Sequence, residues 1–127
     1  MSYLLKATAW LGTGFAIVLI IVETVHNWGD WSDPALWIID YFACALLLAG
    51  ASVALKGDVR GPALLGTAWG FACAMFWMAY FIIVSQNAAI PGTHDPLVVN
   101  FALGLFLTTI VGLALSLTVI LGSPKQA

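Results

Sequence analysis

Glu23 and His26 stand three residues apart, the spacing that puts two side chains on one face of a helix. Asp40 follows inside a stretch otherwise free of charge, and His94 with Asp95 precedes the last apolar run. Carboxylates and imidazoles exchange protons with water, and both are ligands for zinc, iron and copper. Two chemistries are therefore open. Asp40, Glu23 and His26 are candidates for binding a proton or cation, and Glu23, His26, Asp40 and His94 together offer acceptable ligand types for a metal ion.

Asp40 carries the most weight. A carboxylate within an apolar span costs about 2–3 kcal/mol or more unless it faces other helices and finds a partner. It can hold its proton, or it can ionise beside protonated His26 or a bound cation. A hydrogen bond to Trp77, Tyr80 or a backbone group is the purely structural alternative. The metal reading rests on one ExxH motif, whereas di-iron bundles use two such motifs and two further glutamates. No cofactor is expected on this pattern, with a metal ion as the alternative. Haem between His26 and His94 fits poorly, because neither histidine is placed inside a span.

The remaining acids have simpler roles. Asp33-Pro34 and Asp95-Pro96 each read as an N-cap carboxylate ahead of a proline in the first helical turn, and Asp30 as a solvated loop residue. Cys44 and Cys73 lie in apolar stretches without a CxxC partner, as small buried hydrophobes do. No nucleophile, nucleotide or cofactor motif accompanies the ionisable residues, so an enzyme is not expected.

What must position these side chains is a set of membrane helices. Of 127 residues, 62% are hydrophobic and 8% charged, against roughly 25% charged in soluble domains. The mean hydropathy of +1.02 points the same way. A net charge of −2 without a basic run argues against nucleic acid as a partner. The expected organisation is one all-α transmembrane domain over 1–127, with helices at about 4–27, 34–55, 62–85 and 96–121. In lipid, apolar stretches of that length must satisfy their backbone groups as helices. Gly29 and Gly57 read as stops after the first and second helices, and Gly61-Pro62 as the start of the third.

Short connections predict an up-down-up-down bundle. The four basic residues, Lys6, Lys56, Arg60 and Lys125, then share one side, which the positive-inside rule makes cytoplasmic. Both termini fall there, and the expected location is a bacterial inner membrane. The first span lacks a small-x-small cleavage site and reads as retained. Trp28, Trp31, Trp37 and Tyr41 form an expected aromatic belt on the outer side, with Tyr3 on the inner one. Counted along their helices, Glu23 lies roughly 5–6 Å below its outer end and Asp40 roughly 10 Å below its own, so the two reach similar depth.

Helices in lipid associate through small residues. The fourth shows Asn100, Gly104, Thr108, Gly112 and Ser116 at every fourth position, and the third shows Gly66, Gly70 and Ala74. On the first, Leu5, Ala9, Gly12, Ala16, Leu19, Glu23 and His26 form one line. Asp40, Cys44, Leu47, Ala51 and Ala54 form a matching line on the second. Thr8-Ala9-Trp10 recurs as Thr67-Ala68-Trp69, a short internal echo. Trp77 is expected to be buried and to need a partner for its indole N–H. The expected function is that of a non-enzymatic accessory, scaffold or oligomer-forming subunit using these seams, among membrane lipids and with further copies or a larger membrane complex as partner. The alternative is a small proton- or cation-linked transporter, or a metal-binding protein, using the acid and histidine cluster.

Overall fold

The computed structural model describes residues 2–29 and 34–122, leaving aside the side chain of Leu36. Within them lie four helices: α1 (Tyr3–Asn27), α2 (Pro34–Leu55), α3 (Gly61–Ala89) and α4 (Pro96–Gly122). All four are long and apolar enough to cross a membrane. The chain therefore reads as an all-helical integral membrane protein.

Local chemistry sets the helix ends. Ser2 caps α1, its hydroxyl accepting the Leu5 N–H at 3.2 Å. The Asp95 carboxylate accepts the Leu97 N–H at 2.8 Å at the start of α4, as expected of a cap. Asp33 and Lys125 lie outside the described residues, as does Trp31. After α2, Gly57 takes φ +78, its N–H reaching Ala54 O and that of Asp58 reaching Val53 O. This pair of bonds is a Schellman stop, and a left-handed residue there suits glycine. The third helix runs one turn past the expected end at 85. Gln86, Asn87, Ala88 and Ala89 stay helical because an apolar span ends where hydropathy falls, whereas a helix ends where its hydrogen bonds do.

Neighbouring helices pack in chain order, and α4 closes more sparsely on α1. Between α2 and α3 the backbones nearly touch. A Cβ at Gly50 would lie 2.9 Å from the Cα of Leu65, and one at Gly61 would collide with Ala54. On α1 the buried line is Ala9, Gly12, Ala16 and Leu19, and on α2 it is Cys44, Leu47, Ala51 and Ala54, both as expected. The core line of α3 is instead Gly61, Leu65, Ala68, Trp69, Ala72 and Phe76.

Trp69, fully buried, is the centrepiece. Its Cζ2 comes within 3.5 Å of the Cβ position of Gly12, and the other side of its ring lies against Gly112. Phe15 tilts against it with ring centres 5.6 Å apart. Gly112 on α4 thus makes the seat for the indole, whereas a Cβ at Gly12 on α1 would meet it in ordinary contact. The Thr-Ala-Trp echo is not an equivalence in space: Trp10 is 63% exposed and Thr8 buried, whereas Trp69 is buried and Thr67 exposed.

Candidate functional site

The last turns of α1 and the second turn of α2 meet at one end of the bundle. The hydroxyls of Thr24 and Tyr41 are 2.6 Å apart and fix the two helices to each other. Trp37 stacks edge-on against Tyr41, ring centres 6.1 Å apart. One residue before each member of the hydroxyl pair, Glu23 and Asp40 bring their carboxyl groups into one neighbourhood between α1 and α2. The group beside Asp40 is therefore an acid from α1. Trp77 is 55% exposed, and Tyr80 packs its ring against Phe81 and Phe106.

Two neighbouring carboxyl groups in an apolar setting can share one proton, since like charges side by side are costly. Asn27 adds a donor: its Nδ2 lies 2.9 Å from Glu23 Oε2 and the same distance from Glu23 O. Cys44, buried one turn beyond Asp40, is within electrostatic reach of both acids. The arrangement can hold a proton between α1 and α2, with an amide steadying one of the acids. Asn27 and Cys44 extend the expected set. Their positions, four residues after Glu23 and after Asp40, are the signal that identifies them.

The histidines do not converge with this pair. His26 is exposed on the last turn of α1. His94 donates from Nε2 to Gln86 Oε1 at 2.6 Å, and its backbone N–H donates to Asn87 Oδ1 at 2.7 Å. His94 thus organises the turn between α3 and α4. Among the described residues, no group of three or more His, Cys, Asp and Glu side chains is placed to hold a metal ion.

The expected packing residues divide. Gly66 meets Ile120 and Ser116, Gly70 meets Leu113, Gly112 meets Trp69, and Ser116 is buried. Thr108 is half-buried and donates to Gly104 O at 2.8 Å. Ala74, Asn100 and Gly104 face outward instead. A second ionic group lies in the α2–α3 connection, where Arg60 forks onto Asp58 through Nε at 3.1 Å and Nη2 at 2.8 Å. Those bonds hold the Asp58 carboxyl down at about 2.

Fold and site together define a class, a small bundle of four membrane-spanning-length helices with a carboxyl pair bridging the first two. No family model matches the chain, and comparisons with curated proteins and with solved structures find no significant relative.

Proposed function

We propose that this protein is a non-enzymatic membrane subunit, an up-down-up-down bundle with both termini in the cytoplasm of a bacterium. It works by associating with further copies of itself or with a larger complex of the inner membrane. The observation that carries this reading is the division of the α4 ridge. Gly112 and Ser116 are consumed inside the bundle, while Asn100 and Gly104, on the same line, face outward. A Cβ at Gly104 would meet nothing within 4 Å. Lipid gives an exposed amide no partner and a bare backbone no close neighbour, whereas a second helix supplies both. Exposed Lys6, Lys56 and Arg60 support the orientation.

Native mass spectrometry from a mild detergent tests it. The wild type is expected as a defined oligomer or with a bound subunit, and Asn100→Leu with Gly104→Leu as a monomer of unchanged helicity. A wild type that is monomeric and alone sinks the reading.

The nearness of Glu23 and Asp40 favours a second reading, in which the pair binds and releases a proton for a small cation-linked carrier. Phe15, Leu19, Leu47 and Trp69 are buried in the core, so a route for ions would have to form between copies. Infrared spectra of the wild type should show the C=O stretch of a protonated carboxyl group, lost in both Asp40→Asn and Glu23→Gln. A wild-type spectrum at neutral pH without that band removes the proton from the pair.

A further inference from the structure

Five threonines in these helices satisfy their hydroxyls in the same way. Thr8, Thr13, Thr67, Thr108 and Thr118 each donate to the carbonyl four residues back, at 2.8–3.0 Å. Ser116, equally helical and 3% exposed, leaves Oγ without a partner. The indole Nε1 of Trp69 is the second buried atom on the α3–α4 seam in that state. Each such group costs about 1–3 kcal/mol when it stays unsatisfied.

The two belong to one neighbourhood. Cε2 of Trp69, the ring atom bonded to Nε1, lies against Gly112. Ser116 follows Gly112 by one turn, about 6 Å along the axis. Its Cβ lies 3.8 Å from the Cβ position of Gly66, three residues before Trp69. Helical side chains lean toward their own N-terminus, which tilts Trp69 toward the level of Gly66 and so of Ser116. One water molecule joins polar groups up to roughly 5–6 Å apart, two hydrogen bonds end to end.

We propose that Trp69 and Ser116 form a built-in site for a single internal water molecule in the α3–α4 seam. The indole N–H donates to the water oxygen, and the Ser116 hydroxyl bonds the same water, which excuses it from the carbonyl of Gly112. The glycine at 112 gives the indole its seat and leaves the next turn of α4 to the water. The site is independent of the assembly and of the carboxyl pair proposed above.

The test uses the full chain in detergent micelles, with two measurements on Ser116→Ala. Nuclear magnetic resonance should show magnetisation passing from a long-lived water to the Trp69 indole proton, assigned with Trp69→Phe, and the transfer should vanish in Ser116→Ala. The unfolding equilibrium constant of Ser116→Ala should rise about five- to tenfold, the effect of one lost buried hydrogen bond. A wild-type indole with no water transfer, or transfer that survives in Ser116→Ala, overturns the proposal. So does a Ser116→Ala variant as stable as the wild type or more so, the result expected when an orphaned hydroxyl is simply removed.

Discussion

Gly112→Ala asks whether one methyl group can unseat the core. The added Cβ would lie 2.5 Å from Trp69 Cε2 and closer still to Cδ2 and Cε3. Ordinary contact begins at 3.4 Å, so ring and helix must part by about 1 Å. The indole has little room to shift: it is fully buried, and Phe15 leans on it with ring centres 5.6 Å apart. The α3–α4 seam must open instead. Overpacking of this kind costs about 1–3 kcal/mol, or roughly five- to 150-fold in the unfolding constant. Gly14→Ala is the control, since a Cβ there meets nothing within 4 Å and alanine suits a helix better than glycine. The assay is reversible unfolding in mixed micelles, followed by the circular dichroism of the helices. Equal stability of Gly112→Ala and Gly14→Ala would refute the seat.

Two smaller predictions concern the connections. Asp58 is held at about 2, against an ordinary 3.8, chiefly by the side-chain and backbone hydrogen bonds of Arg60. A folded-state value below the unfolded one stabilises above the unfolded value, and the benefit is lost as pH falls from near 4 through about 2. Carbon-13 titration of Asp58 should therefore show a midpoint near 2 that returns toward 3.8 in Arg60→Gln. An unmoved midpoint contradicts the pairing. Asp95→Ala removes the acceptor for the Leu97 N–H and should cost about 1 kcal/mol in unfolding measurements, while Asp95→Asn should cost much less. Equal losses in the two variants would mean that the cap is idle.

The sequence was read best where punctuation was strong. Pro34, Gly57 and the Asp95-Pro96 pair mark ends that the helices respect, and one line each on α1 and α2 holds the residues that pack together. The packed face of α3 was legible only in part, for a physical reason. In an apolar helix every face is apolar, so hydropathy has almost no period, and the contact face is set by fit between large and small residues. Gly66 and Gly70 do meet α4, but Leu65, Ala68, Trp69, Ala72 and Phe76 form the core line and Ala74 faces out. The burial of Trp69 follows from Gly112 lying against its ring, a contact between helices that no spacing along the chain announces. Glu23 and Asp40 were legible as a pair because charge is rare here and depth can be counted in residues. The separation of His26 and His94 from them was not, because an exposed last turn and a bond to Gln86 are matters of rotation and loop path.

The near-touching backbones of α2 and α3 have a mechanical consequence. Near their connection, Gly61 on Ala54 and Gly50 on Leu65 leave no compressible side-chain layer between the two helices, so that end of the pair moves as one strut. Whatever deformation the bilayer or a neighbouring subunit imposes must be absorbed elsewhere. The sparse junction of α1 with α4 is where this bundle has give.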